Sequence, residues 1–551
     1  MGSSKGDPLA GVNRLRCHEP GQVSLPGWTW CGKTNPGFRP FILSVINSLS
    51  SAAAGKPRSL TIVPEAAPLR GGGPFVERMR WPAESENGLP RALRALARIV
   101  DGGLCHRCGS CVGICPTGVL ACDGEEYPTI RTLAACTDCD LCVRVCPGDE
   151  FNINEHHERL FGSPAELTAT HGAFLDAAVG YSTDPVVREH STSGGVVTGV
   201  LLSLLERKEI DGAIVIASDP DELWKGRPTV ARSREELLGA MKSKYAITPT
   251  NSVFAEIREI PGRYALVGLP CQIHGYRKAA ELDARLKSRI VLTVGLFCHA
   301  AIEHEAFRVI WETLGDRGPR ARRFISRIGK HPGTPHIELD DGSLYPVYFG
   351  DRRGYRPTSI EVINILYRLY TPERCTTCFD GLADFADLSV GDPWMSPPED
   401  SVNWYEGWSF VLMRTERGRQ VYRDLVERGE LASVALTRRE AEASNHLMAD
   451  EKRWRAFRVI ETHRRQGKSI PSYGDAQARF PRHSGWQFVK TELHMFTHLF
   501  CFLPRLRARA LRFFLGSGGY WLFWLNSQRR GLRVWARDSL ARLRRRFLGR
   551  Q

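Results

Sequence analysis

Residues 105–116 read CHRCGSCVGICP, and residues 136–147 repeat the same cysteine spacing as CTDCDLCVRVCP. Each run has the pattern C-x2-C-x2-C-x3-C-P, the spacing with which bacterial proteins hold [4Fe–4S] clusters. The fourth cysteine of each run usually binds the cluster of the other run. The spacing therefore predicts two clusters with crossed ligands: Cys105, Cys108, Cys111 and Cys146 for one, and Cys136, Cys139, Cys142 and Cys115 for the other.

Zinc binding and disulfide bonding are the alternative uses of such cysteines. A zinc ribbon pairs two C-x2-C knuckles and requires neither the third cysteine nor the C-P ending. Disulfides belong to oxidising compartments, and the N-terminal MGSSKGD lacks the charged-then-apolar pattern of a secretory signal. Iron–sulfur clusters are therefore favoured. We expect a protein that moves single electrons, in the cytoplasm or peripherally on the inner face of a membrane.

Composition and charge separate a basic C-terminal region from the rest of the chain. With 551 residues, 42% hydrophobic and 25% charged, the chain is long enough for about three or four domains. Residues 451–551 hold 23 Lys/Arg against 5 Asp/Glu, whereas the remainder holds 52 against 56. A basic segment attracts an anionic partner such as lipid headgroups, an acidic protein or nucleic acid. Since no nucleic-acid-binding module accompanies the charge, we expect no nucleic acid.

The basic region, assigned to residues 441–551, is predicted to be a helical, aromatic-rich tail. Its apolar stretch FFLGSGGYWLFWLN at 513–526 is too short, and too interrupted by glycine, for the ~20 residues of a spanning helix. The arginines around this stretch are Arg505, Arg507, Arg509, Arg512, Arg529, Arg530 and Arg533. Interleaved aromatic and basic residues favour a segment lying on a membrane surface. The alternative is a helix face that packs on the body of the protein.

The regions before and after the cysteine runs differ in character. Residues 1–94 are rich in Gly, Pro, Ser and Ala, and are predicted to be a flexible leader in which Met79 is an alternative initiator. Residues 91–100 have helical apolar spacing and lead into a ferredoxin-like domain assigned to 95–155. Beyond it, a predicted helix at 194–206 and apolar strands at 210–217, 264–269 and 290–297 alternate with a helix at 272–282. This alternation predicts an α/β fold.

Four more cysteines follow these later elements. Cys271 comes after the strand at 264–269, Cys298 ends the next, and Cys375 and Cys378 form a C-x2-C pair. The carboxyl ends of neighbouring parallel strands meet at one edge of a sheet, so these thiols can converge. Lone cysteines at strand ends are, alternatively, small inert hydrophobes.

Five segments carry a resemblance to a known family: STSGGVVTGVLLSLLE (191–206), KSKYAITP (242–249), VGLPCQIHGYRK (267–278), GLFCH (295–299) and CTTCFDGLADFADLSVGD (375–392). Together, in this order, they resemble the coenzyme F420 hydrogenase/dehydrogenase beta-subunit family, over roughly residues 95–440. The family includes F420-reducing subunits, and also hydroxymethyl-chlorophyll and divinyl chlorophyllide reductases. The resemblance implies an N-terminal-type domain at 170–260 and a C-terminal-type domain at 261–440.

The resemblance also implies cofactors. It implies a third [4Fe–4S] cluster on Cys271, Cys298, Cys375 and Cys378, which leaves Cys17, Cys31, Cys122 and Cys501 as structural thiols. It implies one FAD. The candidate flavin contacts are Ser193, Gly194, Gly195, Ser243, Lys244, Tyr245, Pro270, Gln272 and Asp392. The Ser-Gly-Gly segment precedes a helix, whose N-terminus favours phosphate, although an ordinary helix cap would look the same. A lone Lys-Tyr pair is, alternatively, part of a surface strand.

These expectations combine into an electron relay. A ferredoxin or another one-electron carrier would exchange electrons with the clusters, and FAD would exchange two electrons with coenzyme F420 or a chlorophyll-type tetrapyrrole. Candidate proton donors, chosen for their adjacency to the motifs, are His274, His299 and Tyr245. The alternative functions are a non-catalytic electron-transfer subunit of a larger redox complex and an accessory protein.

Overall fold

The computed structural model describes residues 88–166, 170–329, 331–347, 359–395, 398, 402–480, 485–486, 488–489, 491–492 and 503–516. The predicted leader lies outside the described residues up to position 87, and so does the tail beyond position 516.

The cysteine runs fold as short helices around a small two-stranded sheet. The elements are α1 (Arg91–Asp101), α2 (Ser110–Ile114), β1 (Leu120–Cys122), β2 (Pro128–Ile130), α3 (Leu141–Arg144) and α4 (Ile153–Phe161). The predicted helix at 91–100 is present as α1, because Leu93, Leu96 and Val100 recur at helical spacing and are all buried. β1 and β2 pair antiparallel.

The body is built on an eight-stranded mixed sheet. Its strands are β3 (Asp176–Ser182), β4 (Gly212–Ser218), β5 (Gly226–Ala231), β6 (Tyr264–Gly268), β7 (Ile290–Leu296), β11 (Leu388–Gly391), β12 (Ser409–Met413) and β13 (Leu431–Leu436). The strand order is β13-β3-β12-β11-β7-β6-β4-β5. The central pairs β4–β6, β6–β7 and β7–β11 are parallel, and the flanking pairs are antiparallel. The predicted α/β class is confirmed.

Helices cover both faces of this sheet. They are α5 (Pro185–His190), α6 (Val196–Glu206), α7 (Arg234–Gly239), α8 (Phe254–Glu259), α9 (Pro270–Leu282), α10 (Ala284–Arg289), α14 (Glu416–Glu427) and α15 (Arg438–Ala443). The predicted helices at 194–206 and 272–282 are α6 and α9. Each begins at a residue that favours a helix start: Gly195, with a positive φ, precedes α6, and Pro270 occupies the first turn of α9.

A smaller subdomain is inserted between β7 and β11. It contains α11 (His304–Glu312), the antiparallel strands β8 (Ala321–Ile328), β9 (Thr334–Leu339) and β10 (Leu344–Pro346), and the helices α12 (Ser359–Tyr370) and α13 (Glu373–Thr376). The sheet order is β10-β9-β8. Its apolar core also includes Leu511 and Leu515 of the predicted tail.

The described part of the predicted tail packs on the body. Its helices are α16 (His446–Arg465), α17 (Ala476–Arg479) and α18 (Pro504–Leu515). In α18, Leu511 and Leu515 are buried in the core of the inserted subdomain, and Arg507 pairs with Glu305. The alternative interpretation, a helix packed on the body, therefore describes α18. Among the helices that the structure describes, none is long and apolar enough to cross a membrane.

Candidate redox site

The eight cysteines of the two runs surround two separate cavities. We call Cys105, Cys108, Cys111 and Cys146, which line one cavity, the first thiol set. Cys115, Cys136, Cys139 and Cys142 line the other and form the second thiol set. The structure thus brings together the crossed groups that the spacing predicts. In the described residues, no three His, Cys, Asp or Glu side chains converge on a single metal ion. Four thiols around a cavity instead suit a multi-iron cluster.

Backbone turns aim N–H groups at these sulfurs. Arg107 and Asp140 adopt positive φ angles of 56° and 59°, which turn the chain tightly within each run. The Arg107 amide donates to Cys105 Sγ at 3.3 Å. Burial alone would raise the pKa of Cys115, but backbone hydrogen bonds from Thr117 and Val119 lower it. Such hydrogen bonds to sulfur are among the factors that set cluster potentials.

Because these thiols are buried, they need a bound cation to stay deprotonated. Burial raises the pKa of Cys142 to about 12, and raises the pKa of Cys146 to about 11. A coordinating metal reverses this effect, because a thiol that binds a metal loses its proton outright. The arrangement therefore fits [4Fe–4S] clusters.

A fifth cysteine lies at the first cavity. Cys122, at the end of β1, lines the same cavity as the first thiol set. Burial raises its pKa to about 12, and the nearby carboxylates of Glu126 and Asp123 contribute to this rise. Sequence reasoning left Cys122 as a structural thiol, because it stands outside both C-x2-C runs.

The two thiol sets differ in exposure. Cys139 of the second set is exposed, Cys115 and Cys136 are half-buried, and Cys142 is buried. In the first set, Cys108 and Cys146 are buried, and Cys105 and Cys111 are half-buried. The second set therefore reaches the protein surface at Cys139.

A third thiol set consists of Cys271, Cys298, Cys375 and Cys378. Cys271 lies in the first turn of α9, Cys298 follows β7, and the C-x2-C pair lies in and after α13. Burial raises the pKa of Cys271 well above its ordinary value, and negative charge on Cys108 and the other three thiols of the set raises it further. The structure thus brings the four later cysteines together, and it brings Cys271 next to the first thiol set.

Direct hydrogen bonds fix the first thiol set against the body. The Asn251 amide donates to the Cys108 carbonyl at 2.9 Å, and its side-chain Nδ2 donates to Ser110 Oγ at 2.9 Å and to the Gln272 carbonyl at 2.8 Å. Arg374, which is 2% exposed, donates to the carbonyls of Leu104 and Gly148 at 3.1 and 3.2 Å. Because Arg374 precedes Cys375, it ties the third thiol set to the cysteine runs.

The predicted proton donors occupy different environments. His274 is buried and stacked on Phe151 at a centroid distance of 4.1 Å, and its Nε2 lies 3.0 Å from Asp380 Oδ2. His299 Nε2 lies 3.4 Å from Arg455, and its ring lies 5.2 Å from that of Tyr367. Tyr245 packs edge-on against the same Tyr367 at 6.5 Å. His299 and Tyr245 therefore share a neighbour, whereas His274 lies in the protein core.

Arg327 joins three of the predicted flavin segments. Its Nη1 donates to Asp392 Oδ2 at 2.7 Å, and its Nη2 lies 3.0 Å from His331 Nδ1. It also hydrogen-bonds Tyr245, and its neighbour Ser326 donates to the Ser243 carbonyl at 2.6 Å. His331 in turn contacts the backbone at Thr192, beside Ser193. Sequence reasoning missed Arg327, which stands in no recognised motif.

Other predicted flavin contacts are already engaged within the protein. Lys244 Nζ donates to the carbonyls of Ala240 and Met241 at 2.7 and 2.9 Å, just after α7, and burial lowers its pKa to about 8. The Gln272 side chain accepts from the Leu269 amide and donates to the Thr248 carbonyl. Pro270 is buried in the first turn of α9. These three residues therefore shape the backbone of the region.

The Ser-Gly-Gly segment lies close to the neighbouring strands. A Cβ on Gly194 would come 2.3 Å from the Gly180 carbonyl, so this close approach requires glycine. The Gly194 amide donates to Ser409 Oγ at 3.1 Å, and Ser193 Oγ donates to the Trp408 carbonyl. Gly195 caps α6 with a φ of 74°.

Unpartnered polar atoms surround these flavin segments. Within the described residues, the buried atoms Thr192 Oγ1, Trp408 Nε1 and Asn445 Oδ1 have no hydrogen-bond partner. Asn445 also donates to the Asp392 carbonyl at 3.0 Å, which places it at the same site. Buried polar atoms normally find partners, so this region fits a polar ligand such as FAD.

Comparison with known proteins agrees with these observations. The profile "Coenzyme F420 hydrogenase/dehydrogenase, beta subunit N-term" matches residues 177–255, and the companion profile for the C terminus of the same beta subunit matches residues 262–439. The profile "4Fe-4S dicluster domain" matches residues 97–158. This chain belongs to the coenzyme F420 hydrogenase/dehydrogenase beta-subunit family. The resemblance that the motifs carry is confirmed.

Three relatives show how far the similarity extends. Coenzyme F420-dependent sulfite reductase of Methanocaldococcus jannaschii is 28% identical over 59% of this chain and 46% of its own length. The F subunit of the F(420)H(2) dehydrogenase of Methanosarcina mazei is 27% identical over 60% of this chain and 84% of its own. The beta subunit of the coenzyme F420 hydrogenase of Methanosarcina barkeri is 26% identical over 47% and 81%. The chain thus spans less than half of the first relative and most of the other two.

The profiles and the relatives' names define the general chemistry. The dicluster profile supports [4Fe–4S] clusters and electron transfer through them. The named relatives are oxidoreductases or their subunits, so the chain belongs to an oxidoreductase family.

Proposed function

We propose that this chain is an iron–sulfur flavoprotein that exchanges two electrons with coenzyme F420 and single electrons with a carrier protein of the ferredoxin type. The observation that carries the proposal is the succession of three thiol sets. The second set reaches the surface at Cys139, the first adjoins the body, and Cys271 of the third set neighbours Cys108 of the first. The names of the relatives supply the substrate, because all three contain F420.

The proposed cofactors have different roles in electron transfer. When bound, [4Fe–4S] clusters carry single electrons, and FAD converts between one-electron and two-electron transfer. We assign two clusters to the first and second thiol sets and a third cluster to the third set. The thiols hold and orient these groups, and the exposed Cys139 marks the side at which a carrier protein would dock.

One proposed flavin segment, residues 243–245, lies close to the third thiol set. Tyr367 is an electrostatic neighbour of Cys298, Cys375 and Tyr245, so one side chain separates the thiols from the 243–245 segment. Arg327 supplies a buried positive charge held by Asp392, and such a charge would stabilise a pyrophosphate or a reduced flavin. We propose Tyr245 and His299 as the groups that hold or deliver a proton. The burial of His274 against Phe151 favours a positioning role for it.

Anaerobic assays with F420 test this function. The reconstituted protein, supplied with reduced F420 and an oxidised viologen dye, should couple F420 oxidation to dye reduction with two dye molecules reduced per F420. Arg327→Met should lose FAD and this activity, whereas Arg323→Met, an exposed arginine on the same β8 strand, should retain both. Equal flavin content in the two variants would contradict the assigned flavin site.

Two other outcomes would redirect the proposal. If the protein passes electrons between the dye and ferredoxin without turning over F420, it is a non-catalytic subunit of a redox complex. The word "subunit" in two relatives' names makes this the second candidate. Turnover of a chlorophyllide, but not of F420, would assign the protein to the tetrapyrrole reductases of the family.

Membrane attachment by the tail remains a separate proposal. Helix α18 packs on the body through Leu511 and Leu515. We propose that lipid contact arises mainly from residues 517–551, which are rich in arginine. Deleting these residues should abolish flotation with anionic liposomes, and unchanged flotation would exclude residues 517–551 as the anchor.

A further inference from the structure

We propose that Lys452, assisted by Arg455, is a positioning residue that raises the reduction potential of an iron–sulfur cluster held by Cys271, Cys298, Cys375 and Cys378. The inference rests on the third cluster of the proposed function and extends it to residues of the tail. Both side chains belong to α16, which begins at His446, outside the matched family range of 262–439.

Lys452 is enclosed by the loops that carry the thiols. The residue is 1% exposed, and its Nζ donates to the Cys298 carbonyl at 2.7 Å. Its stem packs against Gly381, whose own carbonyl accepts the Cys298 amide at 2.9 Å. The ammonium therefore sits on the backbone of a predicted ligand, with Cys375 and Cys378 as electrostatic neighbours.

Arg455 reaches the same thiols one helical turn later. It is 1% exposed, and Cys375, Cys378 and Cys298 are among its electrostatic neighbours. Positions three residues apart lie on one face of a helix. The two cations thus approach the third thiol set together from α16.

The nearby carboxylates are shared among several cations: Asp380 is an electrostatic neighbour of Lys452, and Glu451 is one of Arg455. Asp380 receives hydrogen bonds from His274 and from the amides of Leu382 and Asp384. Asp384 pairs with Arg453 at 2.7 Å and with Arg414 at 3.2 Å. Asp380 and Asp384 thus face three buried cations: Lys452, Arg414 and Arg453. Because buried charge is costly without compensation, we infer that negative charge on the thiols compensates the remaining positive charge of the buried cations.

This arrangement fixes the sign of the effect. Reduction by one electron, delivered by the carrier of the proposed relay, adds one negative charge at the thiol set. A fixed cation stabilises that added charge, and it does so strongly in a site from which water is excluded. Net charge and hydrogen bonding around the sulfurs are the protein's means of setting a cluster potential. Removing the cation should therefore lower the potential.

Potentiometric titration of the full chain, followed by electron paramagnetic resonance, tests the inference. The signal of the third cluster is the one lost in Cys378→Ser. In Lys452→Gln the ratio of reduced to oxidised third cluster at a fixed potential should fall at least tenfold, which for a one-electron couple is about 59 mV. Lys452→Arg should restore the native potential. Lys468→Gln, which removes an exposed lysine just after the same helix, should leave it unchanged.

Iron analysis separates the possible failures. A native chain with about eight irons would remove the third cluster, and with it the proposed function's relay, before any potential is measured. A native chain with about twelve irons whose third potential is unaffected by Lys452→Gln would overturn the inference alone. Should Lys452→Gln lose the third cluster's iron, Arg455→Gln is measured instead: a lowered potential supports the inference, and an unchanged one overturns it.

Discussion

Replacing Gly113 by alanine tests how the first thiol set is docked on the body. Gly113 lies in α2, between Cys111 and Cys115, and faces residues 251–254. A Cβ there would lie 2.1 Å from the Asn251 carbonyl oxygen and 2.9 Å from Phe254 Cβ. Contacts between non-bonded carbon atoms are most favourable at roughly 3.5 Å or more, so the two backbones would have to separate by more than about 1 Å.

The expected cost follows from this geometry. Overpacking a well-packed interior typically costs about 1–3 kcal/mol. Here the nearest obstructing atom is the backbone carbonyl oxygen of Asn251, and the amide of the same residue donates to the Cys108 carbonyl. This backbone can therefore move little to make room. We expect the upper end of that range, a loss of about 3 kcal/mol in the free energy that holds the cysteine runs against the body.

The assay compares two substitutions in the same domain. Gly124→Ala is the matched control, because its Cβ would meet nothing within 4 Å. Anaerobic thermal unfolding and limited proteolysis of the holoprotein should show Gly113→Ala to be less stable and more readily cleaved than Gly124→Ala. Equal melting temperatures and equal cleavage rates in the two variants would refute the docking described here.

Three further predictions concern the cysteines, the pH dependence and the tail. Because each cavity is lined by cysteines from both runs, Cys146→Ser should remove the same cluster signal as Cys105→Ser, and Cys115→Ser the same signal as Cys136→Ser. If Cys146→Ser instead removes the signal lost in Cys136→Ser, and Cys115→Ser the signal lost in Cys105→Ser, the ligands are not crossed. Burial lowers the pKa of His171 to about 4 from about 6.5, so the unfolded chain takes up this proton at a higher pH than the folded chain. The free energy of unfolding should therefore fall as the pH drops from 6.5 to 4, and His171→Gln should flatten this fall in urea titrations. Parallel pH profiles of the two proteins would contradict the account. Leu511→Ala should cost about 2–5 kcal/mol and increase hydrogen exchange in α18, because Leu511 is fully buried. The exposed Leu506 on the same helix supplies the control, and equal exchange in both variants would argue against docking of α18.

The sequence contained the elements of the site that obey a spacing rule. The crossed cysteine groups follow from two C-x2-C-x2-C-x3-C-P runs, and the α/β body follows from apolar strands that alternate with helices. Strand β4 begins at Gly212, two residues later than predicted, and the amide of the preceding Asp211 donates to the Arg263 carbonyl at 2.7 Å in the loop before β6. Cys298, just after β7, and Cys375, in α13, are electrostatic neighbours although the inserted subdomain separates them in the sequence.

Single charged residues escaped sequence reasoning for a physical reason. Lys452 and Arg455 lie in a helix whose sequence resembles any basic surface helix, so their burial depends on the loops that fold over them. Arg327 lies on a strand of the inserted subdomain and reaches Asp392, 65 residues later in the chain. Conversely, Lys244 stands in a family motif, yet its ammonium caps the end of α7. Chemical type and motif adjacency did not determine where these side chains point.

The central claim, three clusters and one flavin on a single chain, is tested most directly by quantifying iron, sulfide and flavin in one anaerobically purified sample. The account predicts about twelve irons, about twelve sulfides and one FAD per chain. About eight irons without flavin would contradict it and leave a two-cluster electron conduit.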